Sequence, residues 1–106
     1  MAYFAKLGEG NVVEKVIAVT NETILDEKGQ ESEAVGIAFC NSLEEGRWIQ
    51  ASFNRRIRRA FPCPGSVYLE KADGFQPPIA PMMTRSESFF DEEEWVWKES
   101  INEETA

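Results

Sequence analysis

The chain opens with two β-favouring runs, residues 3–7 and 12–19, joined by residues 8–11, which include two glycines. A short glycine-containing link between two such runs is typical of a β-hairpin. Valine and isoleucine fill so much of the second run that few positions remain for solvent. We therefore expect an antiparallel hairpin whose second strand is central in its sheet or buried on both faces.

A single segment, at about residues 32–44, has the pattern of a helix. Ser32 is a residue type that caps helix N-termini by accepting a hydrogen bond from the first turn. Val35, Phe39 and Leu43 recur every four residues, which predicts an apolar stripe along one helix face. We expect this stripe to face the core.

The rest of the chain favours further short strands. Residues 48–53 alternate between two faces, with Trp48 expected in the core. Residues 67–76 predict a hairpin with a turn at Ala72-Asp73-Gly74, and residues 77–81 predict a stiff proline connector. A last hairpin is expected at residues 88–97, with Trp95 in its second strand. The fold class is thus α+β, an antiparallel β-sheet of short hairpins with one short helix and a hairpin-rich, proline-containing C-terminal half.

The length of 106 residues corresponds to one domain. We assign residues 1–99 to a single small α+β domain and residues 100–106 to a polar flexible tail. No run approaches the roughly 20 apolar residues that a membrane helix needs. The N-terminus lacks the basic and apolar segments of a signal peptide, so synthesis in the cytoplasm is expected.

The residues that usually carry catalysis or bind metals are scarce. The chain contains no histidine and only two cysteines, Cys40 and Cys63. Histidine is the commonest general acid or base, and structural zinc sites need more cysteine or histidine ligands than this chain offers. Cys40 is expected to be a small core residue, and a disulfide is disfavoured in a reducing compartment. We therefore expect no enzyme, no metal site and no cofactor.

Charge is segregated along the sequence. The net charge is −8, yet residues 48–68 contain no acidic residue and four arginines, whereas the C-terminal stretch is dominated by aspartate and glutamate. Net negative charge argues against nucleic acid as a partner, because phosphate binding needs positive potential at the contact. The two regions are expected to attract each other, or each to attract a neighbouring molecule.

Arginine and tryptophan are the residue types that interfaces favour. The planar guanidinium of arginine binds carboxylates through two parallel hydrogen bonds. Trp95 and Trp97 are expected on one strand face, where they serve either as lids on the core or as interface anchors. The predicted partner-binding residues are Arg55, Arg56, Arg58, Arg59, Phe61, Trp95 and Trp97.

Several short motifs in the first half, and scattered residues in the second, resemble a known family. They are Phe4-Ala5-Lys6-Leu7, Ile24-Leu25-Asp26, Gly36-Ile37-Ala38-Phe39-Cys40 and Trp48-Ile49-Gln50-Ala51-Ser52-Phe53-Asn54, with looser matches at Tyr68, Asp73, Phe75, Pro77, Pro78, Ser88 and Trp95. Together these motifs resemble a small virion-associated module of tailed phages that infect marine cyanobacteria. The chain departs from the module at residues 55–65, where family members are rich in glycine and asparagine and this chain is rich in arginine.

The resemblance implies a non-enzymatic phage structural protein, made in the host cytoplasm and located in the virion. Its partners would be capsid or tail proteins, and it could also form a homo-oligomer. Two docking sites stay open: the capsid, as a decoration or cement subunit, and the tail or its fibres. An alternative is an early phage protein that binds and inhibits a cytoplasmic host protein. A further alternative is a glycan-binding fibre module whose exposed tryptophans stack on sugars.

Overall fold

The structure, a computed structural model, describes residues 1–79, 83 and 87–100, which form an α+β fold. The tail predicted at 100–106, apart from its first residue, and the end of the connector predicted at 77–81 lie outside the described residues. In chain order the elements are β1 (Ala2–Leu7), β2 (Val13–Val19), α1 (Glu33–Leu43), β3 (Arg47–Ala51), β4 (Tyr68–Leu69), β5 (Gly74–Phe75), β6 (Ser88–Asp91) and β7 (Val96–Glu99).

The N-terminal hairpin is confirmed, but the expected position of its second strand is wrong. The main sheet is antiparallel with the order β2-β1-β3, so β1 is central and β2 lies at an edge. Glu14, Lys15 and Ala18 of β2 are exposed. The other strand beside β1 is β3, which comes from a distant part of the sequence. The valine content of β2 could not predict that pairing.

Alternate residues of the sheet enter two separate cores. On the face that α1 covers, Phe4 of β1 packs with Trp48 of β3. On the opposite face, Ala5 and Ala51 form the second core together with Tyr68 and Phe75 from the segments that follow β3. The expected alternation of β3 and the core position of Trp48, which is 3% exposed, are therefore confirmed. The sheet lies between the helix and the C-terminal half of the chain.

The helix begins where the sequence predicts, but it buries a different face. Ser32 is the N-cap, because its hydroxyl oxygen accepts a hydrogen bond of 3.3 Å from the N–H of Val35. The residues that are fully buried are Gly36 and Cys40, whereas Leu43 is 63% exposed. Phe39 of the predicted stripe packs against this core, but the prediction is wrong at Leu43, because the closest contact of the helix with the sheet is made at Gly36, which has no side chain.

Both C-terminal hairpins are confirmed, although the last one differs in detail. Trp95 lies in the turn, with a φ of 61°, and β7 begins at Val96. Asp91 organises this turn, since its Oδ1 accepts hydrogen bonds of 2.8 and 3.1 Å from the N–H groups of Glu93 and Glu94. The side chain of Trp95 therefore leaves the hairpin at a left-handed residue of the turn instead of at a strand position.

Candidate functional site

The arginine-rich segment forms a compact loop after β3, which we call the arginine loop and define as residues 52–60. The N–H of Arg55 donates to the carbonyl of Ser52 at 3.0 Å, and the N–H of Arg56 donates to the hydroxyl of Ser52 at 3.2 Å. Arg55, Arg58 and Arg59 have positive φ values of 62°, 54° and 74°. Such backbone is rare outside glycine, so the surrounding contacts hold this loop in shape.

Arg58 turns inward and is bound by the protein itself. Its guanidinium lies 2.8 Å from a carboxylate oxygen of Glu33 at the start of α1 and 2.9 Å from Asp73 between β4 and β5. The side chain is 16% exposed. Burial lowers the pKa of Arg58, but the two carboxylates outweigh that effect and raise it above its usual value. Arg58 therefore links the helix to the β4–β5 hairpin.

The same ion pair covers an edge of the main sheet. The backbone N–H of Gln50 in β3 donates to Glu33 at 2.8 Å, and the carbonyl of Gln50 accepts a hydrogen bond of 2.9 Å from Arg58. The backbone N–H and carbonyl of Gln50 both point away from β1, toward the side of β3 on which a further strand could pair. Since both groups are already bonded, no other strand can pair with this edge at Gln50.

Asp73 connects this pair to the second core. Its carboxylate accepts a hydrogen bond from the hydroxyl of Tyr68 as well as from Arg58. The hydrogen bond from Tyr68 has the largest effect in lowering the pKa of Asp73 below its usual value. Burial raises the pKa of Tyr68. Glu33, Arg58, Asp73 and Tyr68 thus form one network that fixes the arginine loop on the domain.

Arg59 joins the arginine loop to the C-terminal hairpin through an aromatic contact. Its guanidinium carbon lies 4.7 Å from the centre of the Trp95 ring, within the range of a cation–π interaction. The indole N–H of Trp95 donates to the carbonyl of Phe75 at 2.7 Å, and that of Trp97 donates to Pro77 at 2.8 Å. Both tryptophans are half-buried. Both indole N–H groups are thus bonded within the C-terminal half of the chain.

The contact that the structure shows between the arginine loop and the acidic C-terminal hairpin is the cation–π contact of Arg59 with Trp95, and it is not an ion pair between the two charged regions. In the acidic turn, Asp91 and Glu94 make ion pairs of 2.8 and 2.5 Å with Lys98 of the same hairpin. The ion pairs of Arg58 run instead to Glu33 and Asp73.

Two arginines of the loop remain available to a partner. Arg55 and Arg56 are exposed, and neither has an acidic side chain within ion-pair distance among the residues that the structure describes. Beside them, Phe53 is 70% exposed and Ile57 is 39% exposed. We call these four residues, Phe53, Arg55, Arg56 and Ile57, the docking surface.

The docking surface rests on an aromatic base. Phe61, a predicted partner-binding residue, is half-buried and contacts the second core. Its ring meets Tyr3 edge to face at a centroid distance of 5.2 Å and lies 5.4 Å from Phe53. An open cleft of about 540 Å³ adjoins this group, and Arg56 and Ile57 line it together with Phe53. Phe61 thus packs against Phe53, one of the four residues of the docking surface.

The structure therefore divides the predicted site residues. Arg55 and Arg56 are adjacent and exposed, without an ion partner in the part of the chain that the structure describes. Arg58 and Phe61 are held inside the domain, and Arg59 and the two tryptophans join the loop to the last hairpin. The predicted partner-binding residues did not include Phe53 and Ile57, which the structure places beside the exposed arginines. Phe53 follows the alternation of β3 and was assigned to a sheet face, but β3 ends at Ala51. No sequence signal marks that early end.

Side chains that bind metal ions are not grouped in the described part of the chain. Residues 1–79 and 87–100 hold no group of three or more histidine, cysteine, aspartate or glutamate side chains placed to bind a metal ion. Cys40 is buried and Cys63 is partly buried, and both are free thiols. No helix among these residues is long and apolar enough to cross a membrane.

Known proteins give no further indication. Comparisons with protein-family models, with curated proteins and with solved structures found no match to this chain.

Proposed function

We propose that this chain is a non-enzymatic structural protein of a tailed phage that docks on the virion through the docking surface. The particle site is the capsid, as a decoration subunit, or the tail and its fibres. The resemblance of residues 1–54 to a virion-associated module supports the phage assignment. The observation that supports the docking role is the grouping of exposed Phe53 and Ile57 with Arg55 and Arg56, which have no ion-pair partner among the described residues.

The chemistry of this surface defines the partner. Two guanidinium groups can each bind a carboxylate through parallel hydrogen bonds, and the neighbouring phenylalanine supplies apolar area to bury. The partner is therefore an acidic protein surface with an apolar depression. The chain as a whole has a net charge of −8, so its surface away from the arginine loop repels such a partner. The charge distribution thus orients the chain with its arginine loop toward the particle, which raises the rate of correct encounters.

Quantitative mass spectrometry of purified particles tests this proposal. The wild-type chain should be present at a copy number that matches either the capsid lattice or the symmetry of the tail. The double variant Arg55→Gln with Arg56→Gln should be largely lost from particles, while the isolated protein keeps its melting temperature.

A charge-matched control separates local contact from net charge. Lys28 and Lys71 are exposed and belong to other segments of the chain, so Lys28→Gln with Lys71→Gln changes the net charge equally. This control should be incorporated at the wild-type level. Normal incorporation of the arginine variant would refute the docking role of the surface. Absence of the wild-type chain from particles would refute the virion assignment and favour an early protein that binds a host protein.

A further inference from the structure

Each edge of the main sheet is protected at one of its outward-facing residues. At β3, the outward N–H and carbonyl of Gln50 are bonded to Glu33 and Arg58. At the start of β2, the N–H of Val13 donates to Ser66 at 2.7 Å, and the carbonyl of Val13 accepts from Gly65 at 2.8 Å. Proteins commonly cover sheet edges because unpaired backbone groups recruit other strands. Among the residues that the structure describes, none covers the remainder of β2 in this way.

The open part of β2 is centred on Ile17. Gln50 is opposite Phe4 in the β1–β3 pair, and its backbone N–H and carbonyl point away from β1. The backbone N–H and carbonyl of Phe4 therefore point toward β2, where Phe4 is opposite Ile17. Hydrogen-bonding direction alternates along an antiparallel strand, so Val16 and Ala18 point their N–H and carbonyl groups out of the sheet. Among the described residues nothing outside the sheet bonds these four groups.

We propose that this edge of β2 pairs with the same edge of a second copy of the chain, antiparallel about a two-fold axis at Ile17. In that register Val16 of each copy faces Ala18 of the other and exchanges two hydrogen bonds with it. All four outward groups of each copy are then bonded. The two three-stranded sheets become one continuous sheet across the axis.

The side chains favour the same register. Ile17 faces its own counterpart, as a pair of β-branched residues of the kind that stabilises antiparallel sheets. Lys15 faces Val19, so no two like charges lie opposite each other. The paired segment is limited at both of its ends. At one end β2 stops at Val19, and at the other end residues 65–67 already lie beside Val12 and Val13. A strand of unrelated sequence would lack this self-complementarity.

The salt dependence of this contact differs from that of the docking surface. Each copy carries a net charge of −8, so the two copies repel each other at long range. Added salt screens that repulsion and should strengthen self-association. Binding of the arginines to an acidic partner should weaken with salt, so failure of one proposal is distinguishable from failure of the other.

Cysteine cross-linking tests the register in the intact chain. In a Cys63→Ser background, Ile17→Cys places two thiols at facing positions that do not exchange hydrogen bonds, where the Cα atoms are about 4.5 Å apart, a distance that a disulfide spans. Ile17→Cys should form disulfide dimers at least tenfold faster than Ala18→Cys. Ala18 is the more exposed position, so faster cross-linking there would indicate random collision and overturn the register.

Sedimentation of the unmodified chain tests the edge itself. The wild type should show a concentration-dependent dimer that strengthens with salt. Ala18→Pro removes an outward N–H without removing a bond inside the sheet, as proline does on exposed strand edges. This variant should lose the dimer while its circular dichroism spectrum stays that of the wild type. A wild type that remains monomeric, or a dimer that survives Ala18→Pro, overturns the proposal.

Discussion

The ring of Phe4 lies against the backbone of Gly36, so closely that a Cβ atom on Gly36 would stand 2.1 Å from the Cζ atom of the ring. Phe4 is fully buried in the central strand, and Gly36 is in the buried face of α1. This single contact sets how near the helix approaches the sheet. It also explains why a residue that disfavours helices occupies a helix interior.

Replacing Gly36 by alanine should destabilise the fold. Alanine gains roughly 1 kcal/mol of helix propensity, but overpacking a rigid core position typically costs about 1–3 kcal/mol. Because the Phe4 ring has no solvent-exposed side into which it could move, we expect the clash to outweigh the gain and the free energy of unfolding to fall. Thermal denaturation of Gly36→Ala measures the loss.

The double variant Phe4→Leu with Gly36→Ala provides the control for that contact. If the ring is the cause, the added methyl group should cost far less in the leucine background than in the wild type. Equal losses in both backgrounds would mean that Gly36 is required for another reason.

The arginines of the loop should separate into stabilising and neutral residues. Arg58→Gln removes a mostly buried charge partner from Glu33 and Asp73, and a broken charge-assisted hydrogen bond costs about 1.5–3 kcal/mol. Arg55→Gln removes an exposed side chain without an ion partner among the described residues, so its effect should stay within about 0.5 kcal/mol. Urea denaturation of the two variants compares them directly. Equal losses would contradict the role of Arg58 as a link between helix and hairpin.

Stability should fall in acid partly through Asp73. The folded pKa of this carboxyl is lowered by the hydroxyl of Tyr68 and by Arg58. Its contribution is therefore fully present above the unfolded value of about 3.9 and is lost as the pH falls through the lower folded value. Asp73→Asn should flatten this part of the stability profile measured by urea denaturation across that range.

Asparagine suits this comparison because Asp73 has a φ of 50°, which asparagine tolerates. Asp91 also has a lowered pKa, caused mainly by its hydrogen bond with Lys98. Asp91→Asn should therefore leave the Asp73 part of the profile unchanged. An acid response of Asp73→Asn identical to that of the wild type would contradict the assignment.

The contact between the arginine loop and the last hairpin should depend on Gly74. A Cβ atom there would stand 2.5 Å from Trp95 Cζ2 and 2.7 Å from Arg59 Cγ. Gly74→Ala should therefore displace the indole ring and weaken the cation–π contact, with a loss of about 1–3 kcal/mol from overpacking. Near-ultraviolet circular dichroism and tryptophan fluorescence report the displacement. Unchanged spectra would show that the ring accommodates the methyl group.

Local signals in the sequence predicted most of the elements correctly. The hairpin of β1 and β2, the Ser32 cap and the two C-terminal hairpins each depend on residues close together in the chain. Turn residues, capping hydroxyls and strand alternation act over a few positions, so they can be read without the fold. The core position of Trp48 was predicted on the same basis.

Contacts between distant segments decided the rest. Glu33 and Arg58 are 25 residues apart, and no local pattern distinguishes Arg58 from Arg55. The Phe4 contact at Gly36 determined the buried helix face, and the arrival of β3 beside β1 moved β2 to the edge. The sequence alone therefore determined the α+β elements and the concentration of arginine, because those follow from local propensity and composition. Only the tertiary structure decided which arginines are bound by other described residues and which positions of the sheet edges are covered, because both depend on partners brought together by packing.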